Sequence, residues 1–270
     1  MRARLVAIAL LAAAPAGAQD LSNGWPYRRT GAAEGGAILG VGAGAAALML
    51  FLNAPAEPNW NRSILFDDGA RGLLRASEPE DRRLAGTLSN AAYLMAVYPI
   101  IVDAGLVTWL GRGQRDAAWQ LVLIDAEAIA VEALLSTAIK RTVGRARPYV
   151  AGCSETPDEP GCSADPNTRN SSFLSGHALI AFTAASTLCV QHSRLSLYGS
   201  ADAAVCPAAL AIATTTSLLR MVADRHWSSD VLAGALLGLA VGATVSLVHL
   251  HQESAPRAAS GRAISYGVRL

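Results

Sequence analysis

Six long apolar runs, separated by short polar breaks, set the terms for this chain: about residues 36–53, 91–110, 117–139, 178–191, 203–219 and 229–250. None alternates apolar and polar residues at the period of two that a half-buried strand needs. All are rich in Ala, Leu and other helix formers. The pattern predicts an all-α helical bundle of about six helices. Most of the runs approach the roughly 20 apolar residues that cross a bilayer, so the bundle reads as multi-pass transmembrane. The run at 178–191 reaches that length only with its flanks. A soluble helical protein of unusual apolarity is the alternative.

Composition agrees. Hydrophobic residues make up 52% of the 270, and charged residues 16%, against about 25% charged in ordinary soluble domains. A formal net charge of +1 lacks the basic excess of a nucleic-acid binder. One domain, 36–250, is the expected organisation.

The N-terminus has the form of an export signal. Arg2 and Arg4 precede the apolar stretch 5–14, and small residues at Ala16–Ala18 precede Gln19. Segment 1–18 is either a cleaved signal peptide or a retained apolar segment. Residues 54–90 form the longest polar connection and are expected to hold a short amphipathic helix. Residues 251–270 read as a polar tail.

Charge gathers in a few places. Asp125 and Glu132 share a helix face that continues through Ser136 to Lys140. Asp125 and Glu132 suit a polar stripe that fixes packing. Lys140 leads into "KRTVGRARPY", where Arg147 lies seven residues on and Pro148 ends the helix. A point charge and a planar fork on one face can grip an anion; a plain basic patch of Lys140, Arg141, Arg145 and Arg147 is the alternative. In "SSFLSGHALIAFTAA", Ser175, Gly176 and His177 stand where an apolar helix starts. Free N–H groups, close backbone approach and a titratable ring meet there, or else a Ser cap is followed by an ordinary His. In "RMVADRHWSSD", Arg220 ends one apolar run, and His226 and Asp230 open the next. Spacing of four lets the carboxylate hold one imidazole nitrogen and leave the other as a nucleophile. Asp224 and Arg225 read as solvated loop.

Lys140 with Arg147–Pro148, then Ser175–Gly176–His177, then Arg220 with His226 and Asp230 together resemble the tripartite signature of the type 2 phosphatidic acid phosphatase family. That family includes bacterial nonspecific acid phosphatases and vanadium haloperoxidases. The resemblance covers about 90–250. Leu174 stands where the family usually has Pro, and Leu219 where it usually has Ser.

The resemblance implies a phosphatase. His226 would attack phosphorus, with Asp230 orienting it. Lys140, Arg147 and Arg220 would neutralise the phosphoryl oxygens, helped by the Ser175 hydroxyl and the Gly176 N–H. His177 would protonate the leaving alkoxide and then activate water. Neither metal nor cofactor is expected, because three cationic side chains supply the charge stabilisation. His192, His249 and His251 lie apart near helix ends and read as surface residues. The expected partners are a phosphorylated lipid and the membrane, with neither nucleic acid nor an obligatory protein partner. A soluble periplasmic acid phosphatase and a vanadium-dependent haloperoxidase are the alternatives. A helical scaffold without activity leaves three spaced motifs unexplained.

Cys153 and Cys162 lie nine apart in a Pro/Gly/Asp-rich loop and read as a disulfide staple of an oxidising compartment. Cys189 and Cys206 either pair or pack as small core residues. A cleaved signal leaves residue 19 outside and carries Lys140 inside after three spans. A retained N-terminus on the inner side puts all three motifs outside. The latter gives a bacterial-type inner-membrane protein with its site facing the periplasm.

Overall fold

The computed structural model describes residues 18–154 and 161–251. Segment 1–17 of the expected signal and residues 252–270 of the expected tail lie outside the described residues. Every regular element among the described residues is helical: α1 (Ala32–Phe51), α2 (Asp67–Leu74), α3 (Pro79–Ile101), α4 (Arg115–Val143), α5 (Gly176–Arg194), α6 (Asp202–Val222) and α7 (Ser228–His249), with a π-type segment at Val102–Gly111 and short turns at Leu21–Asn23, Pro148–Gly152, Pro166–Arg169 and Gly199–Ala201.

Six of these run the length of the bundle and match the six apolar runs. The connections 52–78, 144–175 and 223–227 meet at one end. Asn59 N–H donates to the Gly144 carbonyl (3.0 Å), Ala76 N–H to that of Val222 (3.1 Å), and Ser172 N–H to that of Arg145 (2.9 Å). The other end gathers residues 18–31, 112–114 and 195–201. There Gln19 N–H donates to the Arg194 carbonyl at 2.9 Å, and Arg29 pairs with Asp116 at 2.7 Å. Gln19 and the motif-bearing loops therefore lie at opposite ends.

Among the described residues, four stretches are long and apolar enough to cross a membrane: Ala32–Phe51, Pro79–Gly111, Gly199–Val222 and Ser228–His249. Their outward faces carry exposed Leu39, Met49, Leu94, Met95, Leu106 and Leu236. The chain is a membrane protein by this surface: large apolar side chains left outside on several neighbouring helices are what lipid covers. Helix α5 is central, with most of its residues buried against α7, α6 and α4. Gly234, Gly238 and Gly242 of α7 permit the closest of these contacts. A Cβ on Gly234 would stand 2.6 Å from the Ser175 carbonyl, and one on Gly238 or Gly242 would strike the α5 backbone. Small residues at spacings of four let two helix backbones approach.

Helix α3 starts at Pro79, a dozen residues before its apolar run. Proline suits a first helical position, and Glu80 and Asp81 favour the positive end of the helix. Its first turns are amphipathic, with Arg82, Ala85 and Ser89 buried, so hydrophobicity alone hides them. Past Pro99, which lacks an N–H, the chain continues to Gly111 in wider π-type winding. The short amphipathic helix expected in 54–90 is α2.

Several polar residues are buried where the sequence suggested surface. His192 is bonded by Asp202 at Nδ1 (2.6 Å) and by Asp103 at Nε2 (2.9 Å). His249 is held by Glu127 at 2.7 Å. Asp224 is buried beneath Arg71 and Arg75. Each has a charged partner, which makes burial tolerable; such partners are distant in sequence and invisible there. His251 is exposed. Asp125 does face inward, accepting from Gln191 at 2.6 Å.

Both cysteine pairs are bonded. Cys153–Cys162 closes the loop before α5, and Cys189–Cys206 joins α5 to α6.

Candidate active site

The three motif segments converge because the folded chain brings the C-terminal end of α4, the N-terminus of α5 and the α6–α7 turn to one end. Ser175 caps α5, its hydroxyl accepting from Ala178 N–H at 3.4 Å. The Ser175 N–H donates to the Asp230 carbonyl at 3.1 Å, which ties the second motif to the third. Lys140 reaches the second motif from α4. Its ammonium packs so close to Gly176 that a Cβ there would collide with Nζ. Any other residue at 176 would displace the charge.

His226 lies in the turn between α6 and α7 and is buried. Its Nδ1 lies 2.9 Å from the Ser172 carbonyl oxygen. A carbonyl only accepts, so Nδ1 carries the proton and Nε2 keeps its lone pair. Nε2 faces Arg147 Nη1 at 3.3 Å. Burial, and then the charges of Arg147, Arg220 and Lys140, hold this imidazole well below its ordinary value. It is a neutral ring with a free nitrogen among cations.

Asp230 stands beside that ring at 3.7 Å from Nδ1, beyond hydrogen-bond length. The hydrogen bond that spacing of four suggested for Asp230 is made by Ser172 instead. The carboxylate is already taken. It accepts from Arg145 Nη1 (2.5 Å), the Ser172 hydroxyl (2.5 Å) and Trp227 N–H (2.9 Å).

Arg145 is fully buried and pairs with both Asp230 and Asp67, the latter at 2.7 Å. Its guanidinium lies over the Trp60 ring, 3.8 Å from the centroid. Asp67 in turn accepts from Ser228 Oγ (2.7 Å) and Ser229 N–H (2.8 Å). Burial raises its carboxyl, but the N–H groups of Ile64 and Ser229 and the side chains of Arg145 and Ser228 outweigh that and hold it below the usual range. This network fixes the first turn of α7 and hence the backbone around His226.

The remaining cations are different. Arg147 donates through Nε to the Thr168 carbonyl (2.7 Å) and through Nη1 to that of Arg225 (3.0 Å). Lys140, Arg147 and Arg220 form no ion pair with a carboxylate among the described residues, although Arg220 is buried with an unpartnered Nε. Arg145, two residues from Arg147, has two carboxylates. Three such charges around one neutral imidazole repel one another, and an anion bound among them relieves the repulsion.

His177, in the first turn of α5, makes its ring contacts with α3. Nε2 lies 2.9 Å from Asn90 Oδ1, and the ring tilts against Tyr93 with centroids 5.1 Å apart. Asn90 and Tyr93 stand three apart on one helix face. Asp67, Asn90, Tyr93 and Ser172 carry no motif that singles them out in the sequence, and Arg145 stands out there only within a basic patch. Asn90 interrupts an apolar helix, which is a weak signal; Asp67 and Ser172 sit among other polar residues and give none.

Among the described residues, no group of three His, Cys, Asp or Glu is placed to hold a metal ion.

The site lies within a recognisable segment. The family model described as PAP2 superfamily matches residues 121–253. Over 133 residues the chain is 31% identical to Lipid A 1-phosphatase of Porphyromonas gingivalis, an alignment covering 49% of this chain and 25% of that protein. The chain thus aligns with about a quarter of that relative's length. No solved structure matches the chain.

Proposed function

Residues 121–253 place this chain in the PAP2 superfamily, and on that premise we propose that it is a phosphomonoesterase acting on a phosphorylated lipid through a phosphohistidine, without a metal ion. The observation that carries this reading is the trio Lys140, Arg147 and Arg220, two half-buried cations and one buried, none in an ion pair with a carboxylate among the described residues, around the neutral ring of His226. The phosphoryl dianion is the charge-matched ligand, and transfer of a phosphoryl group depends mainly on position and charge stabilisation.

The steps follow from the site. The Nε2 lone pair of His226 attacks phosphorus, and Arg147 beside it receives a phosphoryl oxygen. Lys140, Arg220, the Ser175 hydroxyl and the Gly176 N–H take the others. As the P–O bond to the lipid breaks, His177, protonated once the phosphoryl dianion lies among the cations, gives its proton to the leaving alkoxide. The phosphoryl group then resides on Nε2. In the second half, His177 removes a proton from the attacking water, the P–N bond breaks, and inorganic phosphate leaves with His226 neutral again. Through both halves Nδ1–H stays on the Ser172 carbonyl, and the Asp230 carboxylate 3.7 Å away offsets the positive charge of the phosphorylated ring.

A lipid substrate is supported by the exposed apolar faces of the crossing helices and by the relative's name, Lipid A 1-phosphatase. The Cys153–Cys162 disulfide beside the site supports a site facing the periplasm of a bacterial-type inner membrane. The deciding experiment is phosphate release by purified protein from a panel of phosphorylated lipids in detergent. Release from one or more, lost in His226→Ala, is expected; no release from any lipid or from nitrophenyl phosphate overturns the reading.

A further inference from the structure

We infer that α2 is an interfacial helix: it lies along the bilayer surface beside the site, presses Leu65, Phe66 and Leu73 into lipid, and so directs the site to phosphate carried at a membrane surface. The last step rests on the phosphatase reading; the docking does not.

The two sides of α2 differ sharply. Asp67, Ala70, Arg71 and Leu74 follow the i, i+3, i+4, i+7 pattern and face the protein. Asp67 bonds Arg145, Ser228 and Ser229. Arg71 forks onto Asp224, both contacts at 2.7 Å. The helix is clamped onto the turns that carry His226. Its other side carries Leu73, 87% exposed, with Leu65 (85%) and Phe66 (50%) in the turn just before the helix and the exposed Asp68 carboxylate at the polar edge. Gly69 and Gly72 lie between them with open space around. Leu65 also has φ 55°, a region that bulky residues rarely adopt. The chain holds a leucine in a disfavoured conformation to point it outward.

The occupant of this face follows from its neighbours. The end of α1, just before it in the chain, carries exposed Leu50 and Phe51, and the start of α3, just after it, carries exposed Leu84 and Leu88. Those helices are long and apolar enough to cross a membrane. In the chain α2 lies between them, and it packs on α6 and α7. Eight residues make a helix about 12 Å long, which cannot cross a hydrocarbon core of about 30 Å but can lie in its surface. A bilayer that covers α1 and α3 reaches α2 at the same end as the site.

A label can test docking without reference to catalysis. The four cysteines are all paired, so Leu73→Cys offers one free thiol for an environment-sensitive fluorophore. In phospholipid vesicles the emission should shift to the blue and be quenched by lipids brominated on their acyl chains. Emission as in water, without quenching, overturns the inference. The second arm is kinetic. Leu65→Glu with Leu73→Glu should raise KM for a phosphorylated lipid in vesicles about tenfold or more, because two apolar side chains no longer enter the lipid. Turnover of soluble nitrophenyl phosphate should stay within about twofold of the parent, which also certifies the fold. Equal loss on both substrates, or none on vesicles, overturns the directing role. Unchanged vesicle kinetics together with a smaller oligomer in detergent assigns the face to a second copy of the chain instead. If the parent protein hydrolyses neither substrate, the phosphatase reading fails while the fluorophore still decides whether α2 docks.

Discussion

Ser172 holds His226 from one side and Asp230 from the other: its carbonyl accepts from His226 Nδ1 at 2.9 Å, and its hydroxyl donates to Asp230 Oδ2 at 2.5 Å. The carboxylate four residues beyond the histidine thus reaches the ring through a third residue. Ser172→Ala keeps the carbonyl and loses the hydroxyl, so the peptide is less firmly oriented. Hydrogen bonds to charged groups contribute about 1.5–3 kcal/mol, of which only part reaches the transition state. A fall in kcat of roughly 10–100-fold is expected, with Ser172→Thr recovering most of it. Steady-state kinetics of the two variants checks this.

The buried Arg145 is a matter of stability. It lies between Asp67 and Asp230, and side chains of both partners are fully buried. Arg145→Met leaves two carboxylates facing each other without their cation. Breaking a buried pair in this way costs about 3–5 kcal/mol, and the thermal midpoint in detergent should fall accordingly. Asp67 adds a pH signature. Its carboxyl is held below the ordinary value of 3.8, so its contribution is present above pH 3.8 and is lost as pH falls through the depressed value. The Asp67→Asn variant should therefore lose less stability than the parent as pH falls below 3.8, the ordinary value from which the loss begins.

The rate should depend on pH through His226 in a stated direction. The ring must be neutral to attack, and its proton affinity is held well below the ordinary 6.5. The acid limb of kcat/KM should therefore lie below pH 6.5, provided the substrate's own titration is subtracted. The same depression means that stability from the neutral buried ring is present above pH 6.5 and declines as pH falls beneath it. An acid limb above the ordinary value, on a substrate that does not titrate there, contradicts the arrangement.

Asn90 offers a test of His177. The amide oxygen lies 2.9 Å from Nε2, so its task is to orient the ring. Asn90→Ala should slow hydrolysis of a lipid with an alkoxide leaving group by about 10²-fold, within the usual range for general acid–base help. Nitrophenyl phosphate, whose leaving group needs little protonation, should be affected far less in the first half-reaction. Equal losses on both substrates in the labelling half-reaction itself would show that Asn90 supports the fold rather than the proton transfer.

The passes of the chain were legible because each carries its own evidence: an apolar run, a helix-forming composition and polar breaks. The start of α3 was not, since its first turns are amphipathic and look like a polar connection. The same contrast holds at the site. Lys140, Arg147, Ser175, Gly176, His177, Arg220, His226 and Asp230 sit in three compact motifs, and the fold brings all three segments to one end. Asp67 meets Arg145 across 78 residues, and His177 meets Asn90 across 87. Such pairings are set by how helices pack, and a single residue among polar neighbours does not announce its distant partner. Burial of His192 and Asp224 was hidden for the same reason.

The two histidines should part company under labelling. His226 offers Nε2 to Arg147 at 3.3 Å with Nδ1–H fixed by Ser172, the posture of a nucleophile. His177 sits in the first helical turn after the cap with its ring held by α3, the posture of a proton carrier. With ³²P-labelled substrate and acid-free quenching, the parent should give a phosphoenzyme stable to base and labile to acid. His226→Ala should give none and should not turn over. His177→Ala should still become labelled from nitrophenyl phosphate, because that leaving group departs unprotonated, yet release phosphate slowly, since water lacks its base. Chelators should leave the labelling intact, and vanadate, which takes the five-coordinate geometry of the transferring group, should suppress it. The decisive observation is the label in His226→Ala. A base-stable, acid-labile phosphoenzyme in that variant would move the nucleophile to another histidine, and the cations around His226 would then be holding the phosphate for an attack from elsewhere.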